Sequence, residues 1–165
     1  MVYFIALLLP VLLVIVDQII KAWAVHALKG GTIIPIINGF LQFEYLENTG
    51  AAFGFFDGNK VFLIGVTSVA IAAAIAALAL KKIKGNGIML AVSLIIGGGL
   101  GNLVDRIFNG YVVDYIHLVK PIDFAVFNFA DSCVVCGAIL LVLSMILPEI
   151  KAKLKKPDKE GQRDE

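Results

Sequence analysis

Phe4–Val25 reads FIALLLPVLLVIVDQIIKAWAV, an apolar run whose only ionisable side chains are Asp17 and Lys21. A helix of this length rises about 33 Å at 1.5 Å per residue, enough to cross a hydrocarbon core of about 30 Å. No Lys or Arg precedes the run, and the Ala22-Trp23-Ala24 triplet follows an interrupting Asp17 and Lys21. The segment therefore reads as an uncleaved first membrane helix and not as a secretory leader. Three more runs have the same character: Val61–Leu80, Ile88–Leu103 with Val104, Ile107 and Phe108 able to extend it, and Ala130–Leu147, which Pro148 is expected to stop.

Composition agrees. Of 165 residues, 59% are hydrophobic and 16% charged, and mean hydropathy is +0.92. A water-soluble domain of this size cannot bury so large an apolar share. Backbone polar groups in lipid must pair internally, so the expected class is an all-α polytopic membrane protein with four transmembrane helices. Basic residues set its orientation. Lys81, Lys82 and Lys84 fill the short connection between the second and third spans. Lys151, Lys153, Lys155, Lys156, Lys159 and Arg163 crowd the tail. Both clusters belong on the cytoplasmic side, which puts both termini inside and two longer connections outside. The expected organisation is a membrane domain over residues 1–150 and a basic cytoplasmic tail over 151–165. The outer connections fall at 26–60 and 104–129.

The first outer connection carries two β-prone runs, Thr32–Ile37 and Phe40–Leu46, around Asn38-Gly39, a hairpin-type turn. Phe43 and Tyr45 would share one face, with Gln42 and Glu44 on the other. A small β-rich element at the outer membrane surface is expected. Val112–Ile116, in the second outer connection, is also β-prone or extended.

The remaining information lies in polar residues that lipid makes costly, about 2.5–3.5 kcal/mol each on insertion scales. Asp17 and Lys21 are four apart on one helix face, a self-neutralising pair that could also orient the bundle. Gly97 and Gly101 form a G-x-x-x-G surface for close helix contact. Asn102 and Arg106 share a face, and Asp105 precedes Arg106. Asp114 lies just past the third span. Asp131 opens the fourth, where Asn128 and Asp131 also fit a capping-box pattern. An outward third helix and a returning fourth bring Asp114 and Asp131 to one level. Two carboxylates in a poorly hydrated site share a proton, so the pair offers an acid and a base at one pH, as water attack on an amide requires. Cys133 and Cys136 read as small apolar residues, and His26 and His117 are isolated, so no metal site is expected. A net charge of +1 suggests no nucleic-acid partner.

In order along the chain stand Asp17-Gln18-Ile19-Ile20-Lys21, Glu47-Asn48-Thr49-Gly50-Ala51-Ala52-Phe53-Gly54, Gly98–Arg106, Gly110–Tyr115 and Phe127–Ser132. These boxes resemble the lipoprotein signal peptidase (signal peptidase II) family. The resemblance implies an intramembrane aspartic endopeptidase of the bacterial cytoplasmic membrane with Asp114 and Asp131 as catalytic dyad at the outer side. It implies support of the dyad or substrate positioning by Asp17, Lys21, Asn48, Gly50, Asn102, Asp105, Arg106, Asn128 and Ala130. The implied substrates are diacylglyceryl-modified prolipoproteins cut just before the lipid-bearing cysteine, with membrane lipid as surroundings, no cofactor, and inhibition by cyclic peptides. Three other classes make different demands on the sequence. A small transporter would need polar groups at several depths, yet Val61–Leu80 has no ionisable residue. A metallopeptidase would need a motif such as H-E-x-x-H, which is absent. A structural subunit would use every acid as a cap or salt-bridge partner.

Overall fold

The computed structural model describes residues 1–50, 59–121 and 124–154. Its order is α1 (Val2–Leu28), β1 (Ile34–Ile37), β2 (Leu41–Asn48), α2 (Lys60–Ala79), α3 (Asn86–Phe108), β3 (Val112–Leu118) and α4 (Phe129–Leu154). All four helices are long and apolar enough to cross a membrane. Ala51–Gly54 of the second sequence box and the tail from Lys155 lie outside the described residues.

The third helix is the hub. Half of its apolar window is buried, against less than a fifth for each of the others, whose large side chains face outward as lipid-solvated helices do. Glycines permit this centrality. A Cβ on Gly97 would strike Leu13 and the Pro10 backbone of α1, and one on Gly101 would meet the Asp17 carboxylate and Ala130. A Cβ on Gly98 would collide with the Ala130 carbonyl and come within 3.1 Å of Val134 N. On the facing helix a Cβ on Gly137 would lie 2.8 Å from the Ala91 carbonyl, so α3 and α4 meet backbone to backbone along their length. Ser93 completes the core by donating to the Ala6 carbonyl at 2.7 Å.

Because the Gly98 obstacle is main chain, it cannot swing away. Gly98→Ala is expected to lower the unfolding temperature in detergent and to cut peptidase activity, at an overpacking cost of about 1–3 kcal/mol. Gly99→Ala, whose Cβ would meet only the flexible end of Ile71, is expected to be mild. Equal effects from the two variants would contradict this account.

One helix boundary differs from expectation. Pro148 does not end the fourth helix; α4 continues to Leu154. A proline inside a helix removes one hydrogen bond, and the following Glu-Ile-Lys-Ala-Lys-Leu are mostly good helix formers, so the turn beyond it persists. The third span takes the extension that Val104, Ile107 and Phe108 allow and runs to Phe108, so Asp105 and Arg106 sit on its last turn, as read. The β element is also larger than a hairpin. β1 and β2 pair antiparallel, and β3 adds to the far side of β2, giving the order β1-β2-β3. The expected sidedness of β2 holds. Phe43 and Tyr45 pack into a cluster with Ala24, Leu28, Val113 and Tyr115, while Gln42 donates to Glu44 at 2.7 Å. Cys133 is buried, as read, but Cys136 is exposed.

Candidate active site

Every predicted site residue among the described ones lies at one end of the bundle, where α1, α3 and α4 meet the sheet. The start of α4 is the organising element. The first three backbone N–H groups of a helix have no partner within it. Here each receives one from a different place. Phe129 N donates to the Tyr115 hydroxyl of β3 at 3.2 Å. Ala130 N donates to Asp17 Oδ1 of α1 at 3.1 Å. Asp131 N donates to Asn128 Oδ1 at 2.9 Å, while Asn128 N donates back to Asp131 Oδ2 at 3.1 Å. The last exchange is the capping box legible in the sequence. It is not the whole explanation of Asp131, whose other oxygen accepts from Asn102 Nδ2 at 2.7 Å.

Asp114 comes to the same place from β3 and is fully buried. Asn128 Nδ2 donates to its Oδ1 at 2.6 Å, and Asn48 Nδ2 at the end of β2 donates to its Oδ2 at 2.8 Å. Asn128 Nδ2 also reaches Asn102 Oδ1 at 3.1 Å. The two carboxyl groups are thus joined through two neutral amides. Asn128 touches both acids, and Asn102 touches Asn128 and Asp131. Neutral donors orient a carboxyl without fixing its charge state, whereas a lysine at the same place would lock it ionised. Asp131 is only partly buried, so the pair has one sheltered and one accessible member.

The lysine is kept one layer back. Lys21 Nζ lies 2.9 Å from Asp17 Oδ2, 2.9 Å from Asp105 Oδ2 and 2.9 Å from Asn102 Oδ1. Three acceptors use its three donors, in a setting where Asp17 and Asp105 are each 1% exposed. Gln18 Nε2 stitches the same two acids together, at 3.2 Å from Asp17 and 3.1 Å from Asp105. Asp105 Oδ2 also accepts from Val113 N at 3.1 Å, which fixes the start of the strand carrying Asp114. Arg106 Nη2 donates to the Gly50 carbonyl at 2.8 Å, and Gly50 N donates to Asn48 Oδ1 at 3.0 Å. Arg106 therefore holds the turn that presents Asn48, and its charge is felt by both Asp114 and Asp131.

The eleven residues singled out in the sequence, Asp17, Lys21, Asn48, Gly50, Asn102, Asp105, Arg106, Asp114, Asn128, Ala130 and Asp131, are all joined in this network. Ala130 contributes its backbone N–H and its small size beside Gly101. Gln18 and Tyr115 lie within the sequence boxes, but no local pattern there assigns either a role. Each acts on a partner on another element, and no spacing rule along the chain reports such a contact.

Burial pushes the Asp114 carboxyl up to about 6 from 3.8, and the nearby Asp131 carboxylate adds to the rise, while the Asn48 and Asn128 amides oppose it. Between those pH values the folded protein binds a proton that the unfolded chain has released. This contribution to stability is therefore present at low pH and lost as pH rises through about 6, on the order of 3 kcal/mol in all. Asp114→Asn removes it. The expected result is that the stability difference between variant and wild type grows in the variant's favour from pH 4.5 to pH 7, read by thermal unfolding in detergent. A difference independent of pH would contradict the assignment.

A family model described as signal peptidase (SPase) II matches residues 9–147. The chain belongs to the signal peptidase II family. A lipoprotein signal peptidase of Clostridium tetani is 42% identical over 142 residues, covering 85% of this chain and 91% of that protein. One of Clostridium acetobutylicum is 39% identical over 140 residues, covering 84% and 91%. A solved structure described as a bacterial membrane enzyme superposes with a TM-score of 0.78 at 30% identity, covering 93% of this chain and 94% of that one. The chain is accordingly a multi-pass membrane peptidase of the aspartic type, with four membrane-crossing helices and a three-stranded sheet.

Proposed function

We propose that this signal peptidase removes the signal peptide from prolipoproteins whose cysteine already carries a diacylglyceryl group, cutting just before that cysteine. Asp114 and Asp131 are the catalytic dyad. The observation that carries this reading is their coupling through Asn128 and Asn102, with the single lysine of the site held away from both acids.

The pair holds one proton. The ionised member takes a proton from water, and the water oxygen attacks the carbonyl carbon of the peptide bond. The protonated member gives its proton to the carbonyl oxygen as negative charge develops there. Collapse of the tetrahedral intermediate transfers a proton to the leaving amine of the lipid-bearing cysteine, and the pair returns to its starting charge. Asn48, Asn102 and Asn128 orient the carboxyls throughout. Arg106 places its charge beside both and holds the Gly50 turn.

The substrate is a membrane-embedded signal helix, so it reaches the dyad sideways through lipid. Both termini and the Lys81–Lys84 connection face the cytoplasm, and the dyad and sheet face the outer side of the bacterial cytoplasmic membrane. Cyclic peptides that occupy the dyad inhibit.

The deciding experiment is a cleavage assay with purified enzyme and a synthetic or purified prolipoprotein, with products identified by mass spectrometry. The expected product begins at the diacylglyceryl-cysteine, and the same precursor without the lipid is left intact. Equal cleavage of the unlipidated precursor, or cleavage elsewhere, would overturn the substrate assignment. EDTA is expected to leave the rate unchanged.

A further inference from the structure

At the end opposite the acids, the third and fourth helices leave a groove on their shared outer side. Its volume is about 460 Å³, and its lining includes Gly85, Gly87 and Ile88 at the start of α3 and Leu143, Ser144 and Leu147 of α4. Gly87 lets the helices close its floor: a Cβ there would stand 2.5 Å from Ser144 Oγ. Leu143 and Leu147 are 46% and 48% exposed, so the groove opens toward hydrocarbon. Gly87 lies fifteen residues before Asn102 on the same helix, about 22 Å at 1.5 Å per residue, so the groove is remote from the dyad. Its rim at Gly85 is basic. Lys84 is the preceding residue, and the Lys82 Cα is no more than about 11 Å away, three residues along the chain. The turn that carries these lysines is firmly built. Lys82 N donates to the Ala77 carbonyl at 2.9 Å and Lys81 N to that of Leu78 at 3.0 Å, the paired bonds that close a helix. Lys81 takes this turn at a φ of 56°, where glycine is the usual residue. The Tyr3 hydroxyl donates to the Ile83 carbonyl at 2.8 Å, and the Ile83 side chain packs on the core. Lys81, Lys82 and Lys84 are exposed, and none forms an ion pair among the described residues. No Asp or Glu occurs between Lys60 and Val104.

An apolar groove with cations at one rim is complementary to a molecule with an acyl chain and an anionic head. A signal helix is not that molecule: signal peptides begin with a basic segment, which these lysines repel. A second copy of this chain would bring the same three lysines. We propose that the groove is a binding site for an anionic phospholipid of the bilayer the helices cross. One acyl chain lies against Ile88, Leu143 and Leu147, and the phosphate faces Lys81, Lys82 and Lys84. Each lysine near the headgroups favours an anionic lipid, and together, after screening by salt, they give a preference of about tenfold over a zwitterionic one. The site does not rest on the proposed cleavage reaction.

Trp23 is the chain's one tryptophan, so a reporter can be moved. The Trp23→Phe, Leu147→Trp protein is reconstituted full-length into phosphatidylcholine vesicles containing phosphatidylglycerol, with bromines on the acyl chains of one lipid or the other. With about one anionic lipid in ten and a tenfold preference, brominated phosphatidylglycerol quenches about half of the emission, against about a tenth for random exchange. Both leaflets hold the same mixture, so the direction of insertion does not enter. The wild-type protein, reporting from Trp23, is expected to be quenched only in proportion to the mixture. In the reporter protein, Lys81→Gln, Lys82→Gln, Lys84→Gln is expected to return quenching to that proportion. Ser144→Phe, which fills the groove and leaves the lysines, is expected to lower it as well. Leu143→Trp replaces Leu147→Trp if that variant misfolds. Quenching in proportion to the mixture at both reporter positions would overturn the site. Enrichment that survives loss of the lysines would overturn the selectivity for an anionic head, and enrichment that survives Ser144→Phe would assign the lipid to surface charge and overturn the groove.

Discussion

Asp114→Asn and Asp131→Asn each reduce cleavage of the lipid-modified precursor by at least about three orders of magnitude, with insertion and a cooperatively folded state retained. The size follows from the chemistry. An amide at either position can neither accept the water proton nor donate one to the oxyanion, and general acid–base transfer alone is worth about 10²–10⁴ in rate. Loss of the shared charge adds to it. Retained folding follows from shape: asparagine keeps the volume and planarity of each side chain, and its amide oxygen can still accept from one of the donors that each carboxyl faces. The double variant should be no slower than the singles, since both residues serve one proton-transfer unit. Wild-type turnover in either single variant, assayed on purified enzyme, would remove the dyad from the mechanism.

Lys21→Met unfolds or fails to accumulate, and it does so for an electrostatic reason rather than a catalytic one. Among the described residues its ammonium is the only cation between Asp17 and Asp105, at 2.9 Å from each. Removing one member of a buried charge cluster costs about 3–5 kcal/mol, because the acids left behind are neither solvated nor paired. That is a large share of the 5–15 kcal/mol that holds most domains together. Asp17→Ala is expected to be less severe but still to act on stability, through loss of the acceptor for Ala130 N at the start of α4. Two results separate this from a direct role in catalysis. Lys21→Met, Asp17→Asn should recover part of the lost unfolding temperature, and whatever folded Lys21→Met protein is obtained should still cleave. Folded but inactive protein would move Lys21 into the chemistry.

Much of this molecule was legible from residue order. Four apolar runs longer than a bilayer core leave helices as the only economical way to satisfy the backbone, so the spans follow from composition and length. Asp17 and Lys21 at a spacing of four, Gly97 and Gly101 at a spacing of four, and Asn128 with Asp131 at a spacing of three are local geometries. Each is found where local rules put it. The sheet was half legible. The hairpin followed from two β-prone runs around Asn38-Gly39, but β3 joining β2 is a pairing between residues some seventy positions apart, which no window along the chain contains.

What the chain order decided by itself is the membrane setting, the four spans and the list of polar residues too costly to be in lipid without purpose. What only the tertiary structure decided is who meets whom. Lys21 could have neutralised Asp17 alone. Instead it is shared with Asp105 and Asn102 because the α3 glycines let three helices approach at that level. Asp131 could have been a cap and nothing more. It is also tied to Asp114 because Asn128, the residue that caps the helix through its carbonyl oxygen, turns its amide nitrogen to the acid on β3. Local rules act through bonds a few residues long. The link between the two acids through Asn128 and Asn102 depends on through-space distances that only the packing of distant elements sets.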